Sequence, residues 1–292
     1  MGWIGCGIAG PTAAQAARVA VVSIPDIPAY KEAIEGIREQ IPNAAFWDAR
    51  DERRLRDNLA TQKPALAIAV GSDAANLLDR IAAPHLLVVR SVVLEWDLAQ
   101  HTISRPPPPA LTVEMDPATL LGEIHRLFPG MTRIGVIRGP LQTDAYMRNI
   151  EQAARQLGFT LQIRDCFTDR ELIATFLQFR SVEFVWCPPN PQLYNSATLK
   201  PLLLASITER LPLIGFSAQF VQAGALFGGE PDFRDVGRQT ATVALRLLQQ
   251  EAVPAKLIPR KFRFAYNQRV ARMVGVKAGE ASLRDPLLEV IR

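Results

Sequence analysis

Short apolar runs alternate along the chain with longer segments in which apolar residues recur every three or four positions. The runs predict β-strands that are buried on both faces, and the longer segments predict the helices that cover them. In the first third of the chain we predict strands at 18–23, 44–48, 65–70 and 86–90 and helices at 29–40, 52–62 and 73–81. This order is typical of an open parallel sheet.

The alternation is interrupted at Arg105 and the four prolines that follow it, Pro106 to Pro109. Proline fixes φ and has no amide N–H, so this stretch fits neither a helix nor a strand. Beyond an extended run at 110–114 we predict helices at 117–128, 144–157, 169–179, 236–250 and 268–274 and strands at 133–138, 160–164, 183–187, 213–216 and 260–266. A strand as late as 260–266 indicates a chain that crosses between two domains more than once.

The length of 292 residues suits two domains, and 48% hydrophobic with 21% charged residues is the composition of a folded soluble protein. No segment beyond the first residues approaches the roughly 20 apolar residues of a membrane span. The 33 basic residues are scattered among 29 acidic ones, giving a net charge of +4. This charge pattern argues against nucleic acid as a partner.

Residues 1–16 are small, apolar and uncharged, and they end in Ala14-Gln15-Ala16. This small-x-small ending predicts a signal peptide that is removed after Ala16, although the basic residues that usually begin such a leader are missing. The alternative is lipidation at Cys6, which follows Trp3-Ile4-Gly5. We favour simple secretion, and both readings predict a periplasmic or extracytoplasmic protein.

The sequence predicts neither a metal nor a cofactor. The three cysteines and three histidines (Cys6, Cys166, Cys187, His85, His101 and His125) show no metal-ligand spacing. A disulfide between Cys166 and Cys187 is disfavoured, because both follow strands that a third strand should separate. The G-x-G-x-x-G pattern at residues 5–10 has no preceding strand and is followed by Pro11, so it does not predict a dinucleotide site.

Catalysis is not predicted either. Residues 215–219 begin like a G-x-S-x-G nucleophile elbow but lack its last glycine, and no nucleophile, base and metal form a coherent set. We therefore expect a binding protein rather than an enzyme.

Several segments, read together, resemble a known family. They are residues 21–30 (VVSIPDIPAY), 34–36 (IEG), 69–75 (AVGSDAA), 127–136 (LFPGMTRIGV), 212–217 (PLIGFS), 221–226 (VQAGAL) and 237–239 (GRQ). The set is similar to the ABC transporter substrate-binding family that includes TrpX-like tryptophan- and tyrosine-binding proteins. The resemblance extends from about residue 18 to about residue 276.

The resemblance implies an α/β fold of the type I periplasmic-binding-protein kind, with two doubly wound parallel-sheet lobes joined by a multi-crossover hinge. The expected divisions are a signal peptide at 1–16, an N-terminal lobe of 17–115 with 231–255, a C-terminal lobe of 116–230 with 256–280, and a C-terminal tail at 281–292. The helix at 236–250 then returns to the first lobe and the strand at 260–266 to the second.

The resemblance further implies the solute-binding component of an ABC-type importer, whose partners are a permease and an ATPase. Its ligand would be a small organic solute, amino-acid-like, aromatic or carboxylate, held between two closing lobes. The alternative is a ligand sensor of the same fold that docks on a membrane receptor. A transcriptional regulator of this architecture is disfavoured, because no helix-turn-helix precedes the first strand.

Ligands of parallel sheets bind beyond the carboxyl ends of the strands, which selects the candidate residues. In the first lobe they are Ser23, Asp26, Tyr30, Gly71, Ser72, Asp73, Ala74 and Ser91. The turn at 71–74 matches the place where the family presents backbone N–H groups, which suits a carboxylate or phosphate. The alternative is a plain helix cap made by Ser72 or Asp73. The Asp26 carboxylate could bind an amine, or it could stabilise the turn between Pro25 and Pro28.

In the second lobe the candidates are Tyr146, Asn190, Tyr194, Ser217 and Phe220. Many relatives carry an aspartate where this chain has Asn190, so the resemblance implies a weaker site for an ammonium group and a ligand other than a free α-amino acid. Tyr194 and Phe220 are expected to stack on a planar solute, whereas Phe216 is expected to complete the core. Glu230 and Asp232 are expected to serve the hinge or cap a helix.

Overall fold

The computed structural model describes residues 19–99, 107–280 and 282–292. The predicted leader, Cys6, the glycine pattern at 5–10 and His101 lie outside the described residues. The chain divides into two compact units, one of residues up to 113 with 232–260, the other of 114–231 with 261–292.

Within the residues that the structure describes, the first unit contains six strands and five helices, and its elements alternate as the apolar pattern predicts. Numbered in chain order, they are β1 (Val19–Ser23), α1 (Pro28–Gln40), β2 (Ala45–Asp48), α2 (Glu52–Gln62), β3 (Leu66–Val70), α3 (Ser72–Ile81), β4 (Leu87–Val93), α4 (Glu95–Ala99), β5 (Ala110–Thr112), α10 (Phe233–Leu248) and β11 (Lys256–Leu257). The sequence assigned residues 256–260 to the other lobe, but β11 pairs with β5.

The strand order of this sheet is β11-β5-β4-β3-β1-β2, and all of its pairs are parallel. The chain leaves β1 toward β2 on one side and leaves β3 toward β4 on the other. Connections therefore diverge between β1 and β3, which makes the carboxyl ends of these two strands the topological switch point of the sheet.

Small and β-branched residues fill both faces of β1 and β3, and every residue of the two strands is buried. On one face Val21 and Ile68 pack with residues of α1 and α10, and on the other Val22 and Ala69 pack with α3. Helices on both faces explain why these strands read as continuous apolar runs.

The helices α1 and α10 approach each other closely because a glycine on each removes a side chain. A Cβ added at Gly36 would overlap the backbone carbonyl of Arg234, and a Cβ added at Gly237 would overlap that of Ala33. Any larger residue at either position has to push the helices apart.

The second unit contains seven strands and six helices. They are α5 (Pro117–Leu127), β6 (Arg133–Arg138), α6 (Asp144–Gln156), β7 (Thr160–Asp165), α7 (Leu172–Phe176), β8 (Phe184–Trp186), α8 (Leu199–Thr208), β9 (Leu213–Gly215), α9 (Ala218–Ala223), β10 (Phe227–Pro231), β12 (Phe262–Asn267), α11 (Gln268–Val274) and β13 (Leu288–Ile291), with short 3₁₀ turns at Asp169–Glu171 and Ser282–Arg284. The strand order is β13-β12-β10-β9-β8-β6-β7. The sheet is parallel except where β12 runs antiparallel to β10.

Several features of this unit differ from the predictions, which also did not include the helices α8 and α9. Residues 281–292 were expected to form a tail, but Leu288–Ile291 pairs with β12. The helix predicted over 169–179 is a 3₁₀ turn followed by the short α7. The strand β10 was not predicted, because its sequence Phe-Gly-Gly-Glu-Pro is poor in strand-forming residues.

We expect Gly237→Ala to lower the free energy of unfolding by about 1–3 kcal/mol, because the new methyl group would overlap the Ala33 backbone. Urea denaturation monitored by circular dichroism measures the effect. Gly122→Ala in α5 is the matched control, since a Cβ there meets nothing within 4 Å. The control should gain up to about 1 kcal/mol from helix propensity. Equal effects of the two changes would contradict the close approach of α1 and α10.

Candidate functional site

The carboxyl ends of β1, β3 and β4 lie level with one another. Ser23 pairs with Val70, and Val70 pairs with Ser91. The loops that leave these strands therefore start from one edge of the sheet, and the switch point between β1 and β3 lies at its centre.

Gly71 makes the turn from β3 into α3. Its φ of 92° is unfavourable for other residues, and its N–H donates a hydrogen bond of 2.8 Å to the carbonyl of Ser91. The Tyr30 ring packs on this glycine so closely that a Cβ would overlap it. Burial raises the pKa of Tyr30, and the nearby carboxylates of Asp73 and Asp97 raise it further. Tyr30 and Gly71, both predicted site residues, are thus brought together.

The first turn of α3 has no side-chain cap. Ser72 and Asp73 were the two candidates for a cap, but the Ser72 hydroxyl donates instead to Asp97, which also accepts the N–H of Leu94 at 3.1 Å. Among the described residues, no side chain therefore caps the first amides of α3. The positive end of the α3 dipole lies at the same place.

Ser23 ends β1 at the same edge of the sheet. It is only 3% exposed, and its Oγ has no hydrogen-bond partner in the described part of the chain. The hydroxyl of Thr112, at the end of β5, is also buried and without a described partner, and it was not predicted. Leaving a buried hydroxyl unsatisfied costs about 1–3 kcal/mol. Such groups normally bond to water or a ligand. The hydroxyls of Ser23 and Thr112 could therefore bond to a polar ligand at this edge of the sheet.

Strand β4 ends in strained backbone. Its pairing with β5 shifts register between Ser91 and Val93, and Val92 between them has a φ of 56°. A β-branched residue in the left-handed region is a genuine outlier, and such strain concentrates at functional sites. The bulge turns the chain away from the strand direction close to the α3 turn.

Asp26 does not offer a free carboxylate. It is 69% exposed and lies 2.6 Å from Nη1 of Arg50, which also binds Asp48 at 2.5 Å. These hydrogen bonds raise the pKa of Arg50, Asp48 contributing most and Asp26 next. Arg50, which the sequence analysis missed, is therefore the partner of Asp26.

The hydroxyl of Ser91 is already engaged. The residue is fully buried, and its Oγ shares a hydrogen bond of 2.7 Å with the Thr240 hydroxyl of α10. This contact ties β4 to the helix that covers the sheet, and it does not leave the hydroxyl free for a solute.

In the second unit the connections diverge between β6 and β8, and Asn190 lies beyond β8. Its Nδ2 donates to Oε1 of Gln142 at 3.1 Å, and its Oδ1 accepts the N–H groups of Gln192 and Leu193. Gln142 in turn accepts the N–H of Gly139 at 2.9 Å and donates to the carbonyl of Pro189 at 2.8 Å. Asn190 therefore joins the loops after β6 and β8, and Gln142 is a second member of this network that the sequence analysis missed.

The aromatic residues predicted to stack on a solute pack into the core. Tyr194 lies 5.8 Å from Phe216 and 5.9 Å from Phe220 between ring centroids, and Phe220 packs against Gly215. Burial raises the pKa of Tyr194 well above its ordinary value, and the neighbouring Cys187 adds to the effect. Tyr194 and Phe220, which were expected to stack on a planar solute, are both buried among the core side chains of this unit.

Tyr146 is buried as well. Its ring meets that of Trp186 edge to face at 6.5 Å, and its hydroxyl lies 3.5 Å from the carbonyl oxygen of Met115. The exposed aromatic residue at this edge is Phe167, which follows β7 and is 71% exposed.

Helix α9 begins at the same edge with two of its first amides bonded to side chains. The Oγ of Ser217 accepts the N–H of Phe220 at 3.2 Å, and the Glu230 carboxylate accepts the N–H of Ala218 at 3.1 Å. Asp232 caps α10 through the N–H of Asp235 at 2.9 Å. The prediction that Glu230 and Asp232 serve as helix caps is confirmed.

The described part of the chain also bears on metal binding, membrane spans and disulfides. It holds no group of three or more histidine, cysteine or acidic residues that could bind a metal ion. No helix within the described ranges combines the length and the apolar character that a membrane span needs. Cys166 and Cys187 are free thiols, and β6 lies between the strands that they follow, as the predicted sheet requires.

We expect Asn190→Asp to destabilise the protein by about 1–3 kcal/mol, because a carboxylate would face the Oε1 atom of Gln142 in place of a donor. Gln142 cannot simply turn over, since both ends of its amide are used. The midpoint of urea denaturation measures the loss. Gln192→Glu adds the same charge at an exposed side chain of this loop and should change stability by less than about 0.5 kcal/mol. An unchanged midpoint for Asn190→Asp would contradict the network.

A second prediction concerns alkaline pH. Burial raises the pKa of the Cys187 thiol from 9.0 to about 12. The thiol therefore contributes stability that is complete below pH 9 and is lost as the pH rises toward 12, by up to about 1.4 kcal/mol per pH unit. Cys187→Ala should lose stability less steeply than the native chain above pH 9. At pH 7 the difference in the free energy of unfolding between the two proteins gives the packing effect alone. Parallel curves of this free energy against pH above pH 9 would show that the thiol does not cause the loss of stability.

No protein-family model matches the sequence, and no curated protein matches it. Solved structures are similar. An ABC domain in complex with L-Trp from Streptococcus pneumonia has 17% identity and a TM-score of 0.63 over 94% of this chain and 100% of its own. A ligand-free, open substrate-binding protein with adhesive properties from Clostridium difficile has 12% identity and a TM-score of 0.70 over 94% and 98%. An ABC transporter solute-binding protein from Bradyrhizobium sp. BTAi1 with bound bis-tris has 14% identity and a TM-score of 0.53 over 90% and 85%.

Identities this low show the fold and nothing finer. The two mainly parallel sheets with interleaved helices are those of the type I periplasmic binding proteins, as the resemblance implied.

Proposed function

We propose that this chain is the exported solute-binding component of an ABC-type importer, and that its solute is a small planar carboxylate. The observation that carries the proposal is the buried Ser23 hydroxyl, which has no described partner and belongs to the residue that ends β1 at the switch point of the first sheet, where α3 also begins without a side-chain cap. The function classes of similar structures support the importer role, since they include substrate- and solute-binding proteins.

The α3 turn favours an anionic group on the solute. The amides of Ser72, Asp73 and Ala74 head a helix without a side-chain cap, and a carboxylate there would meet both N–H donors and the helix dipole. Ser23 adds a hydroxyl that can donate one further hydrogen bond.

The Tyr30 ring favours a flat solute. It lies on the Gly71 turn, where a planar group bound at the α3 amides would be in reach of its face or edge. The similar streptococcal structure holds L-Trp, which has a planar ring and a carboxylate.

The two residues that were expected to meet the amino group of an amino acid are engaged elsewhere. Asn190 uses its amide within the second unit, and Asp26 is paired with Arg50. A buried ammonium without a carboxylate partner would be costly. We therefore propose an aromatic carboxylate without an α-amino group in preference to an aromatic amino acid.

The first experiment is a thermal-shift screen over aromatic amino acids, their analogues without the amino group, purines, aliphatic carboxylates and amides. A solute that binds only the folded protein raises the melting temperature, and we expect the largest shift from planar carboxylates. A screen in which no compound of any class shifts the melting temperature would refute the proposal.

The variant pair Ser23→Ala and Ser91→Ala then locates the site. Ser23→Ala removes a hydroxyl without a protein partner, so the empty protein should keep its stability while the dissociation constant for the best solute rises about tenfold. Ser91→Ala removes a hydroxyl bonded to Thr240, so it should cost about 1 kcal/mol of stability and leave the dissociation constant unchanged. Calorimetric titration and urea denaturation provide the two measurements, and the opposite pattern would place the solute elsewhere.

The importer role requires a cellular test. A strain that lacks the chain should lose uptake of the solute found in the screen. Uptake should return with the native chain and fall at low solute concentration with Ser23→Ala. Uptake that is independent of the chain would leave a binding protein without a transport role and overturn this part of the proposal.

A further inference from the structure

The first unit has a pair of cavities at the edge of its sheet opposite the proposed solute site. They lie at the amino ends of β3 and β4, whereas the proposed solute site lies at the carboxyl ends. The smaller cavity has a volume of about 310 Å³ and the larger about 600 Å³, and Pro64 and His85 line both. This location is independent of the proposed solute site.

The smaller cavity is lined mainly by apolar side chains. Leu59 from α2, Leu86 before β4 and Pro64 before β3 provide these surfaces, and Ala83 lies at an exposed position of the lining. Its volume is at the lower end of the range of small-molecule sites in proteins. The cavity therefore fits a compact hydrocarbon group.

Two nitrogen-bearing side chains, Lys63 and His85, complete the lining. Lys63 ends α2 in the left-handed conformation with a φ of 44°, and its backbone N–H donates to the carbonyl of Leu59 at 3.2 Å. The Lys63 ammonium forms no ion pair with any described residue, and the imidazole of His85 makes no side-chain hydrogen bond within the described ranges. Both groups are therefore available to a ligand.

The charges around the cavities favour an anion. No acidic residue lines the smaller cavity, and Glu251 in the larger one is paired with Arg246 at 2.8 Å. The end of α2 contributes a partial negative charge of about half a unit, less than the full positive charge of Lys63. A ligand that satisfies all of these surfaces has an apolar body and one anionic head.

We propose that this cavity pair is a second small-molecule site, and that it binds monocarboxylates with a compact apolar body. The hydrocarbon packs between Leu59 and Leu86, and the carboxylate meets Lys63 and His85. The larger cavity, lined by Leu87 and Leu247, admits a longer hydrocarbon chain past His85. The site takes its ligand whether or not the carboxyl edge of the sheet binds a transported solute.

The test uses phenylbutyrate as the probe, with phenylbutanol and phenylbutylamine as analogues that change only the head group. Calorimetric titration of the full chain should show saturable binding of the acid. The alcohol should bind at least about tenfold more weakly, because it loses the charged contact, and the amine more weakly still. Absence of saturable binding by the acid, or equal binding of all three compounds, would overturn the proposal.

Two variants with matched controls locate the binding. Ala83→Trp fills the smaller cavity from an exposed position and should abolish binding of phenylbutyrate, whereas Ala118→Trp at an exposed position of α5 should not. Lys63→Glu should weaken binding at least about tenfold, whereas Lys200→Glu on the surface of α8 should not. Melting temperatures check that all four variants fold. Unchanged affinity in both Ala83→Trp and Lys63→Glu would place the probe at another site and refute the assignment.

Discussion

The structure of the candidate site depends on one constraint, the divergence of the chain at β1 and β3. Parallel strands are joined by long crossover connections. Where the crossovers of two neighbouring strands lead in opposite directions, no connection covers the carboxyl ends between those strands. Polar groups at this edge must then find partners within the loops, in water or in a ligand. The Ser23 hydroxyl and the first amides of α3 find none among the side chains that the structure describes.

In the second unit the connections diverge in the same way, between β6 and β8, but the polar groups at that edge bond to one another. Asn190 and Gln142 use their amides to join the two loops, and Ser217 and Glu230 cap α9. Two sheets whose connections diverge in the same way thus differ at the edge where the divergence lies. The first sheet has hydrogen-bond donors without a described partner, whereas the polar groups of the second sheet bond to one another. The first unit therefore determines which chemical group of the solute the proposed site binds.

The sequence was sufficient for most of the fold. The helices Glu52–Gln62 and Gln268–Val274 and the strand Arg133–Arg138 match the predicted bounds to the residue. Both helices have a strong local signal, because Asp51 and Asn267 accept first-turn amides. Strand β10 has no comparable signal, and its glycines become intelligible only in the sheet, where Gly228 packs against the carbonyl of Gly215.

The site was predictable as a set of loops but not as a set of contacts. The rule on carboxyl ends selects the segments that contain Ser23 and Gly71, yet nothing in the sequence says that Ser91 bonds to Thr240 on a distant helix. The sequence also does not show whether an aromatic ring just beyond a strand packs into the core. Phe220 does so because the space above Gly215 admits its ring, and Tyr194 then packs against Phe220.

The α3 turn needs a fixed position if its amides are to bind a solute, and a buried ion pair supplies it. Arg90 in β4 and Asp79 in α3 form a contact of 2.7 Å with side chains only 2% and 8% exposed. Removing one partner of such a pair costs about 3–5 kcal/mol, because the other charge is left buried. Helix α3 is therefore held to the sheet through its second half while its first turn stays uncapped. A donor group fixed in this way loses little conformational entropy when a ligand binds, which favours affinity without additional contacts.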